Sequence, residues 1–148
     1  MRVTLHTDYA LRMLAYIALH PAGYCTVNDV ADAYNLSRHH LMKVAQRLRQ
    51  SGFIETTRGR AGGIRLAVTP DKLNIGAVVR ATEDDFALVE CLQRGGGGCA
   101  IARACHMKDM FVEALTAYLA VLDKYTLRHV MHNRALLQRL LGIVSEPA

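Results

Sequence analysis

The 148-residue sequence is 51% hydrophobic and 21% charged, with a formal net charge of +5. That balance excludes a disordered chain and fits one DNA-sized domain with an extension rather than several independent domains. The longest uncharged run, residues 13–28, contains His20, Pro21 and Asn28 and is too short and polar to span a membrane, while Asp8 and Arg12 interrupt the first apolar stretch, so a cytoplasmic protein without a secretory signal is expected.

The first predicted element runs from Thr7 to about His20, where Leu11, Leu14, Ala15, Ala18 and Leu19 share one helical face and Pro21 and Gly23 end it. Thr26 followed three residues later by Asp29 has the form of a capping box and opens a short second helix that ends at the Asn35-Leu36 turn. Ser37 stands where it can cap a third helix reaching Gln50, with Leu41, Val44, Ala45 and Leu48 inward and Gly52 as its stop. Two β-prone runs, 53–57 and 64–68, flank the basic, glycine-rich segment 58–63 and predict a β-hairpin. Asn74 is placed to cap a helix through Thr82. The tetraglycine from Gly95 to Gly98 then precludes regular structure. Met107, Met110, Phe111, Ala114, Leu115, Tyr118, Leu122 and Tyr125 predict the longest helix, and Leu136 to Leu141 a last one finishing at Gly142.

Charge is concentrated. Residues 37–66 hold Arg38, Lys43, Arg47, Arg49, Arg58, Arg60 and Arg65 against Glu55 alone, a net +6 that exceeds the total for the whole chain. A basic patch of this density is what polyphosphate binding uses, although a solvated surface has the same composition. Two short helices joined by a tight turn and followed by a basic hairpin are the parts of a winged helix-turn-helix, with Ser37 to Gln50 as the recognition helix. Ser37, Arg38, His39, His40, Met42, Lys43, Gln46 and Arg47 are the candidate DNA contacts on it. Arg38, Gln46 and His39 suit base edges; Lys43 and Arg47, with Arg49, suit phosphates. Arg58 and Arg60 at the hairpin tip would reach the backbone or the minor groove.

Cys91, Cys99 and Cys105 lie within fifteen residues around the tetraglycine, a bendable loop that can aim three thiols at one point. Thiolates are soft ligands suited to iron-sulfur clusters, zinc or copper(I), and the spacing does not choose among them. No CxxC pair of the kind structural zinc sites use is present, and His106 beside Cys105 would face another direction on a helix. Cys25 lies outside this segment and reads as a passive thiol, and His20, His129 and His132 as ordinary structural histidines. No nucleophile-base pair, paired catalytic carboxylates or phosphate-binding fingerprint suggests an enzyme.

The opening Thr7-Asp8-Tyr9-Ala10-Leu11-Arg12, the helix start Ser37-Arg38-His39-His40-Leu41-Met42-Lys43-Val44, the segment Gly59-Arg60-Ala61-Gly62-Gly63-Ile64-Arg65-Leu66, the three cysteines and Leu122-Asp123-Lys124-Tyr125-Thr126-Leu127 together resemble a family of bacterial iron-sulfur winged-helix transcriptional regulators, and within it the nitric-oxide-sensing repressors. The resemblance covers nearly the whole chain. It implies a mainly α fold with a small β-hairpin wing: a winged helix-turn-helix domain over residues 1–82, a cluster-binding loop over 83–106, and dimerisation and C-terminal helices over 107–142. It further implies a homodimer on a palindromic double-stranded DNA operator, with nitric oxide as the signal and nitrosylation lowering operator affinity. The implied cofactor is an iron-sulfur cluster, usually 4Fe-4S with 2Fe-2S as the alternative, held by Cys91, Cys99 and Cys105 of one subunit and by Asp8 of the partner subunit.

On its own chemistry, Asp8 is a first-turn acid favoured by the positive end of a helix dipole. Arg12, one turn later, could pair with Asp8 or balance a cluster's negative charge. A related branch that regulates iron-sulfur assembly has a histidine where this chain has Lys108. The Cys91 to Cys99 loop is longer than is common in the family, a lengthening that costs little closure entropy. From another functional class, an iron-sulfur electron carrier or cluster-transfer protein would also account for the three thiols and a basic docking face.

Overall fold

The computed structural model describes residues 2–57, 62–93, 95–96 and 98–143. Helix α1, Leu5–Leu19, opens the fold, followed by β1, Tyr24–Cys25; α2, Val27–Tyr34; α3, Arg38–Gln50; β2, Ile54–Thr57; and β3, Gly63–Leu66. Then come α4, Ile75–Thr82; a 3-10 turn, Glu90–Leu92; α5, His106–Leu122; α6, Leu127–Val130; and α7, Arg134–Leu140. The result is mainly helical with one small antiparallel sheet, as the sequence pattern requires.

Helix α1 begins two residues earlier than its apolar periodicity indicates, because Thr4 is the cap: its hydroxyl accepts the Thr7 N–H at 3.2 Å. Its buried face includes Ala10, Met13, Leu14 and Ile17, which form the centre of the core. The capping box of α2 is complete, with Thr26 N–H donating to the Asp29 carboxylate at 2.7 Å and Asp29 N–H donating to the Thr26 hydroxyl at 3.2 Å. Asn35 takes the left-handed conformation, φ 51°, and turns the chain into α3. On α3, Leu41, Val44, Ala45 and Leu48 are all buried. Ser37 occupies the cap position there, but its side chain makes no capping hydrogen bond.

The wing is more than a hairpin. β2 and β3 pair with Glu55 opposite Arg65 and Thr57 opposite Gly63, and β1 adds a third strand on the other edge of β3, with Tyr24 opposite Arg65 and Cys25 opposite Ile64. A Cβ on Gly63 would stand 2.6 Å from the Cys25 carbonyl oxygen, so only glycine lets β1 lie this close. The strands are also shorter than the runs 53–57 and 64–68; Phe53 and Ala67 remain linked by a single 2.9 Å backbone hydrogen bond beyond their ends.

Helix α4 joins the two halves. Asn74 caps it by accepting the Ala77 N–H at 2.9 Å, and its side-chain amide donates to the Asp123 carbonyl at the end of α5 at 2.8 Å. Arg80 grips the Asp123 carboxylate with both terminal nitrogens, at 2.6 and 2.7 Å, over Gly76, where a side chain would overlap that carboxylate. This hydrogen-bonded pairing holds the Asp123 carboxyl below its ordinary range and raises Arg80. Backbone bonds from Ile75 to Tyr125 and from Leu127 to Leu73 complete the joint. The motif 122–127 is therefore the seat of α5 on α4. No described helix is long and apolar enough to cross a membrane.

Candidate DNA interface and metal centre

Burial of Leu41, Val44, Ala45 and Leu48 fixes the rotation of α3 and turns Arg38, His39, His40, Met42, Lys43 and Gln46 outward, all exposed. His40 and Lys43 border a shallow groove with Leu5, His6 and Tyr9 of α1. Arg47 is exposed as well, but its Nε donates to the Ala81 carbonyl in the last turn of α4 at 2.6 Å. On the wing, Arg65 donates through Nε and one terminal nitrogen to Glu55, at 3.0 and 2.7 Å, so the single carboxylate of the basic stretch is spent on one of its own arginines. Arg58 and Arg60 lie outside the described residues.

The cysteine segment leaves α4 at Glu83. Cys91 sits in the 3-10 turn and is partly buried, Cys99 is exposed, and Cys105 is the partly buried residue immediately before α5. None is in a disulfide. Among the described residues, no three His, Cys, Asp or Glu side chains come close enough to hold a metal ion. The donors suit an iron-sulfur group: three soft, free thiols, none fully buried, carried on a short 3-10 turn, a loop and the residue before α5. Cys25 shows the contrast. It is 2% exposed, and burial, with the nearby Asp29 carboxylate, pushes its thiol up to about 12, which makes it a poor ligand and a poor nucleophile.

Asp8 lies in the first turn of α1, ion-paired with Arg12 at 2.7 Å. The Arg12 guanidinium also lies over the Tyr34 ring, 5.8 Å from its centroid, which fixes α1 against α2. His106 is almost fully exposed and 3.8 Å from Asp109. Sequence reasoning did not find Thr4, Glu83 or the Arg47 tie to Ala81. A polar residue before an apolar run is a weak cap signal, and a side chain bonded to a distant backbone carbonyl leaves no local pattern.

Helix α5 has no buried residue over its seventeen positions, although Met107, Met110, Val112 and Val121 are large, apolar and 46–65% exposed. An apolar surface of this extent on a long helix is unusual for a monomer.

The family model for Rrf2, described as an iron-dependent transcriptional regulator, matches residues 3–133. The HTH-type transcriptional regulator NsrR of Bacillus subtilis is 49% identical over 142 residues, covering 95% of this chain and 97% of that protein. NsrR of Halalkalibacterium halodurans is 49% identical over 97% of this chain and 99% of its own length. Among solved structures, CymR, the global cysteine regulator of B. subtilis, superposes with a TM-score of 0.69 at 26% identity, covering 88% of this chain and 95% of that one. IscR of T. potens shares the fold, with a TM-score of 0.69 at 20% identity over 99% of this chain and 94% of that one. These relatives are transcriptional regulators rather than enzymes, and with the family model spanning nearly the whole chain, this DNA-binding transcriptional regulator belongs to the Rrf2 family.

Proposed function

We propose that the chain is a cytoplasmic, homodimeric repressor whose hold on a palindromic operator is released by nitric oxide acting at an iron-sulfur site. The observation that carries this reading is the placement of the ligand candidates: three free thiols, none fully buried, on the 83–106 loop, and Asp8 on a helix that packs against the recognition helix. The ligands would be Cys91, Cys99 and Cys105 of one subunit and Asp8 of the partner subunit.

In this reading residues 1–82 bind DNA, 83–106 hold the cluster, 4Fe-4S or 2Fe-2S, and 107–142 form the dimer. The exposed apolar side of α5 is covered by its counterpart; Arg80 and Asp123 tie α5 to α4, and Arg47 on the Ala81 carbonyl ties α4 to α3. Arg38, Gln46 and His39 read bases. Ser37, His40, Met42 and Lys43 approach the groove wall and phosphates, with Arg58 and Arg60 of the wing beyond them. When bound, the group supplies iron centres that react with nitric oxide. Asp8 would be the partner subunit's ligand to that group; in this structure its carboxylate is paired with Arg12 at 2.7 Å. Lys108, in place of a histidine, favours this reading over the histidine-ligated branch.

A hundredfold fall in operator affinity corresponds to about 2.7 kcal/mol, within reach of one lost inter-subunit ligand. The test is anaerobic purification followed by nitric oxide titration, with visible absorption and operator binding measured in parallel. Affinity should fall as the absorption is lost. Unchanged affinity after complete loss would overturn the proposal.

A further inference from the structure

The first turn of α1 and the recognition helix do not meet only through the apolar core. Thr7, fully buried, donates through its hydroxyl to the Thr82 hydroxyl at 2.9 Å, and Thr82, also buried, donates onward to the Val78 carbonyl at 2.8 Å. One residue before Thr82, the Ala81 carbonyl accepts Arg47 Nε from α3 at 2.6 Å. One residue after it, the Glu83 carboxylate accepts the Thr4 N–H at 2.8 Å and the Thr4 hydroxyl at 3.1 Å, placing a negative charge at the positive end of α1. Asp8 follows Thr7 directly, and Glu83 is the residue from which the cysteine segment departs.

The last turn of α4 therefore has both neighbours in hand. An arginine at a helix C-terminus satisfies a carbonyl that the helix itself cannot, and a guanidinium bonded at 2.6 Å to such a carbonyl is held in orientation. Arg47 spends its Nε here rather than keeping its whole fork for a phosphate.

We propose that Thr7, Thr82, Glu83 and Arg47 form a joint in which Arg47 is a positioning residue for the recognition helix, so that a shift at the start of α1 moves α3 through the end of α4. The regulatory sense of this joint rests on the proposed ligation at Asp8; the mechanical coupling does not. A phosphate clamp and a positioning residue differ in a measurable way. Each phosphate contact contributes about 0.9 to the slope of log affinity against log salt, whereas a side chain that acts through α4 contributes to affinity but not to that slope.

The experiment measures operator binding of the anaerobically purified protein by fluorescence anisotropy across a salt series, for wild type, Arg47→Met, Thr7→Val, Thr7→Ser and the Arg47→Met/Thr7→Val double variant. Arg47→Met should lose on the order of tenfold in affinity with its salt slope unchanged. Thr7→Val, whose site is sealed from DNA, should lose affinity as well, and Thr7→Ser, which keeps the hydroxyl, should bind as wild type. The double variant should bind no more weakly than the weaker single variant, because the joint is already broken. A slope reduced by about one in Arg47→Met, wild-type binding by Thr7→Val, or multiplied losses in the double variant would each overturn the proposal. All proteins are compared in one state, so failure of nitric oxide to weaken wild-type binding would count against the sensing reading alone.

Discussion

Replacing Gly63 by alanine tests whether the third strand sets the wing. The added Cβ would lie 2.6 Å from the Cys25 carbonyl oxygen and 3.3 Å from its carbon, with the Tyr24 ring at 3.5 Å behind them. The obstacle is backbone in a strand pair, which cannot rotate away, so β1 must move by roughly half an ångström, and overpacking of this kind costs about 1–3 kcal/mol. At about 3 °C per kcal/mol for a chain of this size, melting should fall by about 3–9 °C, with the fold retained against a total stability of about 5–15 kcal/mol. Gly98, with no atom within 4 Å and no positive φ, supplies the control: Gly98→Ala should melt as wild type. Operator binding should weaken several-fold in Gly63→Ala, with a shallower salt dependence, because a displaced wing loses phosphate contacts. A Gly63→Ala protein that melts and binds as wild type would refute the argument that β1 and β3 constrain each other.

Two further outcomes follow from burial. Leu41→Ala, at a fully buried position on the inward side of α3, should cost about 2–5 kcal/mol, seen as a fall on the order of 10 °C in melting temperature, while Met42→Ala on the exposed side should leave stability within about 0.5 kcal/mol. In chelator-treated protein, alkylation at pH 8 followed by mass spectrometry should label Cys99 rapidly and Cys25 only after unfolding, because a thiol held near 12 is ionised in only about one molecule in ten thousand at that pH. The folded value lies above the ordinary 9.0, so the neutral thiol stabilises the fold fully below pH 9, and that contribution is lost as pH rises toward 12.

Much of the reading half was legible because its signals are local. Thr26 and Asp29 bracket the first turn of α2, Asn35 supplies its left-handed end, and the four inward residues of α3 repeat at helical spacing. The strand Tyr24–Cys25 was not legible, since two residues give no alternation and the strand exists only through its pairing with β3. Helix α6, four residues long, is too short to show periodicity and follows the bridge between Thr126 and Asn74. The site divides in the same way. Three clustered thiols and an acid with an arginine one turn later can be read directly, but the proposed division of ligands between two chains leaves no local pattern in one sequence. The tie from Arg47 to Ala81 ends on a main-chain oxygen, which every residue type possesses, so sequence carries no mark of it.

The end of α1 is closed from far along the chain. Arg134 donates to the Ala18 and Leu19 carbonyls at 3.0 and 3.2 Å, and Gln138 donates to Leu19 at 2.6 Å, across separations of 115 to 119 residues. These carbonyls are among those a helix leaves without internal partners. During synthesis, therefore, the last carbonyls of α1 cannot receive these hydrogen bonds until α7 has left the ribosome. Contacts of such sequence separation form late in folding. The timing orders maturation: the cysteine segment and α5 are already translated when α1 receives its last hydrogen bonds.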